Sequence, residues 1–560
     1  MSPDTTEVPG DDAETDRSRA VTAVSSDAAG RGGAAGALLA SGEALRPWSD
    51  HLPDGVDPHT LDLVAGRSLP AAWRACWATD PGRVVIRGAA DGQVLTAAAL
   101  EERSAVAAAR FAAAGVGPGD RVAVSAPGSV DFVVAYVGIQ RIGAVAVPLN
   151  SAYTEREVIQ VVADARPVAA ITDEAQLARW IEAAAPPGCA RTPPDLSGLP
   201  TAGTGGVTLD GAATGDPALL CYTSGTTGVP KGVLLSHGNL LASAEAVCLA
   251  WRWTPDDELI LALPLFHLHG LAVGLHGTLV TGATALVFDR FDPAAVLTAA
   301  RAGSSMFFGV PTMWHRLARH PAATDLGRLR LGVSGSAPLP VDLHAAIAAL
   351  AGRPPLERYG MTETVMLVSN PHDGERRAGS VGFPLPGVEV RLAEGGVADD
   401  GGDGAPGEIE VRGPNVFAGY WQRPDVNQVS FREGWFRTGD LGAVDPDGYL
   451  RIVGRAKELI ISGGLNILPR EVEEVLRSHP AVDDAAVVGA PDPEWGERVC
   501  AFVVPGDPVA DSELAAWCAE RLAPHKRPRL WRRVDEIPHN ALGKIQRDVL
   551  VSALAAEAST

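Results

Sequence analysis

A 560-residue chain with 46% apolar and 21% charged residues has the composition of an ordinary globular protein with room for two or three domains. Its formal charge of −21 argues against nucleic acid as a main partner, because phosphate-backbone binding needs a net or clustered positive surface. The six cysteines form no C-x-x-C pair, no stretch reaches the apolar length of a membrane span, and the acidic start MSPDTTEVPGDD is unlike a signal peptide, so a reducing, cytoplasmic setting is expected.

Residues 1 to about 50 are rich in Ala, Gly, Ser, Asp and Thr without apolar periodicity and read as a disordered extension. From about Ser68, strand-like apolar runs alternate with Ala-rich helical patterns. Arg121–Ala126 predicts a strand, Asp131–Ile142 a helix and Ala144–Leu149 the next strand. Pro167–Thr172, Ala218–Thr223, Leu259–Pro264 and Ala283–Phe288 continue the series. Such alternation predicts an α/β fold with parallel-type sheets covered by helices. The Pro-, Gly- and Thr-rich segment Cys189–Ala213 reads as a surface connection, and VLLSHGNLLASAEAV, Val233–Val247, as a helix. After Gly387, short strands and turns predict a small β-barrel-like part. A boundary at Gly454–Lys457 gives a large domain over residues 51–454 and a small, mobile α+β domain over 455–560. The latter is expected to hold helices at Pro469–Ser478 and Asp511–Leu522 and strands near Ala485–Val488 and Val499–Val504.

The stretch YTSGTTGVPKG, Tyr222–Gly232, places hydroxyls at Thr223, Ser224, Thr226 and Thr227 beside Gly225, Gly228 and Lys231. Glycine lets backbone N–H groups approach an anion closely, while hydroxyls and an ammonium add donors and charge. This is a phosphate loop of its own design. The nucleotide-hydrolase pattern G-x-x-x-x-G-K-[ST] is broken by Pro230 before Lys231 and Gly232 after it. Six further segments follow in order: PLFHLHG (Pro264–Gly270), GSAPLP (Gly335–Pro340), YGMTET (Tyr359–Thr364), WFRTGDLG (Trp435–Gly442), GRAKELIISGGLN (Gly454–Asn466) and PHNALGK (Pro538–Lys544). Together with the loop, they resemble the adenylate-forming superfamily of acyl-CoA synthetases, aryl-CoA ligases, peptide-synthetase adenylation domains and beetle luciferases. The resemblance runs from about Ser68 to about Val551.

That resemblance implies an enzyme that activates a carboxylic acid with ATP and Mg2+, expels pyrophosphate and passes the acyl group to CoA. It implies that Lys544 bridges the carboxylate and the α-phosphate, that Thr362 donates to the α-phosphate and that Glu363 is the magnesium-side carboxylate. Thr223, Ser224, Gly225, Thr226, Thr227, Gly228 and Lys231 would grip the departing phosphates. Tyr359 with Gly335, Ser336 and Ala337 would sandwich adenine, with Glu357, Gly360 and Met361 alongside. Asp440 would accept the ribose hydroxyls, and Arg455 would reach the nucleotide near them. Lys457 stands at the family's domain hinge, and Gly463 and Gly464 would line the pantetheine passage.

For the acid, His267 replaces the Asp that amino-acid-activating members carry after Phe266, so an amino-acid substrate is disfavoured. Arg358, in LERYGMTET, resembles the malonyl-CoA synthetase branch, where an arginine pairs with the second carboxylate. His267 (also read as catalytic) and Ser334 are expected beside it. The competing reading pairs Arg358 with a protein carboxylate such as Glu357. GGLNILPREVE looks more like medium-chain and aryl ligases, leaving a medium-chain, aryl or cyclic monocarboxylate open. A carrier protein is the alternative acceptor, and monomer or homodimer both stay open.

Overall fold

The computed structural model describes residues 45–223, 230–393, 406–493, 495–540 and 544–558. Most of the expected N-terminal extension therefore lies outside the described residues. Residues 45–50 correct its limit, for they are docked. Leu45 is buried, the Arg46 N–H donates to the Gly448 carbonyl at 3.3 Å, and its guanidinium stands 4.5 Å over the Phe383 ring. An apolar anchor and a cation on an aromatic face hold a segment whose composition alone looks unstructured.

Two sheets form the body of the large unit. One runs in the order Ala190–Thr192, Ala169–Thr172, Arg121–Ser125, Val145–Pro148, Pro217–Thr223, Lys231–Ser236, parallel except for the last strand. The other has nine strands. Its parallel centre is Val84–Gly88, Thr284–Val287, Glu258–Leu261, Met306–Gly309, Leu331–Ser334 and Leu356–Tyr359, with short antiparallel strands at its edges. Helix Val130–Arg141 touches both sheets, and every residue in it except Asp131 is buried. That explains a sequence apolar on all sides.

Two expectations fail locally. Val233–Ser236 is strand, because it pairs antiparallel with Pro217–Thr223. The helix begins at His237, where the Ser236 hydroxyl accepts from the Asn239 N–H at 3.1 Å. The supposed connection Cys189–Ala213 also contributes the edge strand Ala190–Thr192.

A third, antiparallel sheet of Glu389–Leu392, Gly407–Arg412, Trp435–Val444, Phe431–Arg432 and Leu450–Arg455 supplies the β-rich part. A short turn at Ala456–Glu458 leads to a fourth sheet, in which Val482–Asp492 and Gly496–Pro505 form a long hairpin backed by helices Pro469–Arg477 and Asp511–Arg521. Among the described residues no helix is long and apolar enough to cross a membrane.

Candidate active site

In parallel α/β sheets, functional loops leave the carboxyl ends of the strands. Here Pro217–Thr223 leads into the phosphate loop, Leu331–Ser334 into Gly335–Pro340, and Leu356–Tyr359 into Gly360–Thr364. Ser224, Gly225, Thr226, Thr227 and Gly228 lie outside the described residues. The stems that carry them are described: Thr223 faces Lys231 across the antiparallel hairpin.

Gly360 allows the chain to double back. A Cβ there would fall 2.1 Å from the Val365 carbonyl oxygen, a distance no side chain tolerates. Thr362 and Glu363 follow in a turn. Glu363 is buried, and its Oε1 accepts from the Tyr420 hydroxyl at 2.9 Å. Burial raises its pKa, and the Tyr420 bond opposes that rise. Among the described residues no cluster of three or more His, Cys, Asp or Glu side chains stands ready for a metal. A single carboxylate, linked through Tyr420 to Lys231, nonetheless suits magnesium, which keeps its waters and shares phosphate oxygens.

Asp440 is nearly fully buried and held from both sides: Arg455 Nε lies 2.8 Å from Oδ1, and the Tyr359 hydroxyl donates to Oδ2 at 2.6 Å. Each carboxylate oxygen keeps acceptor capacity, so a ribose diol can still bind. Burial and then Asp440 push the Tyr359 hydroxyl well above its usual range. Lys544 is anchored through its backbone N–H to Asn540 Oδ1 at 3.0 Å. The residue is exposed, yet enough protein surrounds the ammonium to lower its pKa. Arg455 and Arg358 add to the lowering, while Asp440 and Glu363 oppose it. Asp440 and Glu363 are thus close enough to Lys544 for their charges to bear on its ammonium.

Arg358 is the unusual group. It is 7% exposed, and neither Nε nor Nη2 has a hydrogen-bond partner among the described residues. Desolvation alone draws its pKa down to about 9, which leaves it cationic at neutral pH. Pairing with Glu357 is ruled out by strand geometry, since adjacent residues point to opposite faces. Glu357 instead accepts from the Leu339 N–H at 3.0 Å, and burial raises it to about 7. Gly335 makes room for the guanidinium, for a Cβ there would lie 2.4 Å from Arg358 Cζ.

Two histidines lie close by, His269 buried and His267 half-buried. His267 and His269 each carry an unpartnered Nε2. Burial lowers His267 to about 4, with Lys544 contributing. It lowers His269 further below the usual range, with Arg358 and then His267 contributing. His269 Nδ1 is 3.4 Å from the Ser336 hydroxyl, and its ring stacks on Phe308 at 6.2 Å. Ser336, expected at adenine, therefore also borders the Arg358 wall. Ser334 stands opposite Glu357 in the ladder, so strand alternation directs it to that face and away from Arg358.

His269 and Tyr420 were missed in the sequence. His269 repeats the His267 signal two residues on, whereas Tyr420 reaches Glu363 across 57 residues and left no local trace. Gly463 and Gly464, with φ of +59° and +79°, form the two-residue turn between strands Ile460–Ser462 and Leu465–Ile467. Such a turn requires glycine whether or not a ligand passes it. A Cβ on Gly463 would also meet the Trp495 ring at 2.8 Å. Lys457 lies in the turn that joins the third and fourth sheets.

The AMP-binding enzyme family matches residues 73–421, and the AMP-binding enzyme C-terminal domain matches residues 471–544. A feruloyl-CoA synthase from Amycolatopsis is 40% identical over 473 residues, covering 81% of this chain and 93% of that one. ATP-bound MatB from Rhodopseudomonas palustris superposes with a TM-score of 0.80 at 37% identity, covering 87% of this chain and 99% of its own. A malonyl-CoA ligase in a ternary product complex with methylmalonyl-CoA and AMP is 43% identical over 82% of this chain and 97% of its own, with a TM-score of 0.59. Other matched relatives are named for sulfoacetate, oxalate, malonate and long-chain fatty acids. The chain belongs to the AMP-binding enzyme family and is an AMP-forming CoA ligase that uses ATP, Mg2+ and CoA.

Proposed function

We propose that the acid joined to CoA is a short dicarboxylate, malonate or methylmalonate. The observation that carries this reading is the buried guanidinium of Arg358, left without a protein carboxylate among the described residues. A second substrate carboxylate would supply the counter-charge in the bidentate geometry a guanidinium favours. A fatty or aryl chain would leave the charge buried and unpaired, at a cost of several kcal/mol. His269 and Ser336 border the same wall as neutral hydrogen-bonding groups. Relatives named for malonate, oxalate and sulfoacetate fit this reading. The feruloyl-CoA synthase favours a bulkier monocarboxylate, and that is the alternative.

In this reading, Lys544 steadies the carboxylate against the α-phosphate, Thr362 donates to the same phosphate, and Thr223 and Lys231 support the loop on the departing pyrophosphate. Asp440 holds the ribose, with Arg455 and Tyr359 fixing its orientation. Glu363 would hold the magnesium ion, which would neutralise phosphate charge. Thioester formation then requires the small unit to turn about Lys457 and bring Gly463 and Gly464 to the cleft.

The test is CoA-dependent AMP formation across malonate, methylmalonate, fatty, aryl and cyclic acids, with a phosphopantetheinylated carrier protein as a second acceptor. Malonate or methylmalonate should give the highest kcat/KM with CoA. A preferred monocarboxylate, or transfer to the carrier alone, overturns the reading.

A further inference from the structure

The segment Phe417–Arg423 packs against the described stems of the phosphate loop and is fastened along its length. Val233 forms a β-bridge with Tyr420, and the Trp421 N–H donates to the Gly232 carbonyl at 2.7 Å. The Asn427 side chain brackets Tyr420, accepting from its N–H at 2.7 Å and donating to its carbonyl at 3.1 Å. Arg423 donates to Asp164 at 2.9 Å, and Asp164 also accepts from the Tyr222 hydroxyl at 2.6 Å, which ties in the opposite stem of the loop. Phe417 meets the Tyr420 ring edge-on at 4.9 Å, and the Phe417 N–H donates to the Glu363 carbonyl.

The Tyr420 side chain is thus placed in advance, and it touches two charged groups at once. Its hydroxyl donates to Glu363 Oε1 at 2.9 Å, while Lys231 Nζ lies 5.4 Å over its ring. We propose that Tyr420 is a positioning residue for MgATP: its hydroxyl orients the Glu363 carboxylate toward the metal, and its ring face sets Lys231 toward the phosphates. This rests on the roles proposed above for Glu363 and Lys231. One donor on Oε1 fixes the carboxylate's rotation and leaves acceptor capacity for a cation, and the ring attracts the ammonium without neutralising it. The residue joins a metal-side group and a phosphate-side group that come from separate elements.

Two substitutions separate the two functions. Tyr420→Phe keeps the ring and removes the donor; Tyr420→Leu removes both. Mn2+ binding, read by electron paramagnetic resonance in the presence of α,β-methylene-ATP, should weaken about tenfold in Tyr420→Phe, the loss expected for a hydrogen bond to a charged group. The Mg2+ concentration that half-activates ATP–pyrophosphate exchange should rise by a similar factor. Binding of the same analogue in EDTA should be unchanged in Tyr420→Phe and weakened in Tyr420→Leu. The proposal is overturned if Tyr420→Phe retains wild-type Mn2+ affinity, or if it loses metal-free and metal-bound nucleotide equally, as a purely structural defect would. Glu363→Gln is the control. Unaltered Mn2+ binding in that variant would fault the underlying assignment of Glu363 instead.

Discussion

Glu357 and Arg358 are chain neighbours of opposite charge that never meet, because one strand turns them to opposite faces. Each is therefore buried alone, with different consequences. The Glu357 carboxyl rises from 4.5 to about 7 through desolvation. A folded-state value above the unfolded one favours folding at low pH, and that contribution is lost as pH rises through about 7. In Glu357→Gln the bond from Leu339 survives and the titration disappears. Relative to wild type, urea unfolding should therefore favour Glu357→Gln more at pH 8 than at pH 4.5, by up to about 3 kcal/mol. An identical difference at both pH values would show that Glu357 ionises normally. Arg358 cannot relieve its burial by losing a proton at neutral pH, and for that reason the proposed function places an incoming anion there and not at Glu357.

At the scale of elements, the glycines of the site are matters of space. Gly360→Ala would drive a Cβ into the Val365 carbonyl, so the turn carrying Thr362 and Glu363 must open. ATP–pyrophosphate exchange should fall at least a hundredfold, with unfolding by denaturant lowered by about 2–4 kcal/mol. Near-wild-type exchange would mean the turn has slack the structure does not show. The strands and helices themselves were largely legible. Arg121–Ser125, Val145–Pro148 and Pro469–Arg477 fall within two residues of expectation because buried parallel strands and an amphipathic helix write their own periodicity. Val233–Ser236 was misread because VLLS lacks alternation and runs directly into an apolar helix. Only its pairing partner distinguishes the two. The motif residues were named by resemblance, whereas the contacts of Ser336 with His269 and of Tyr420 with Glu363 and Lys231 join distant segments and leave no local signal.

For the whole molecule, the proposed function takes its nucleotide-side groups from residues before the Ala456–Glu458 turn and Lys544 from beyond it. On that proposal, a single chain runs two half-reactions by moving one unit. Lys544→Ala should abolish ATP–pyrophosphate exchange, by a factor of about 100 or more, while acyl transfer to CoA from supplied acyl-adenylate stays largely intact. Equal loss in both half-reactions would contradict the two-pose account. The central claim, however, is that an unpaired cation in the acyl wall selects an acid with a second negative charge. The ratio of kcat/KM for malonate to that for a short monocarboxylate, compared between wild type and Arg358→Gly, tests it most directly. Loss of one desolvated charge pair, worth about 2–5 kcal/mol, should lower that ratio by at least about thirtyfold, mainly through malonate. A ratio left unchanged by the substitution would contradict the account.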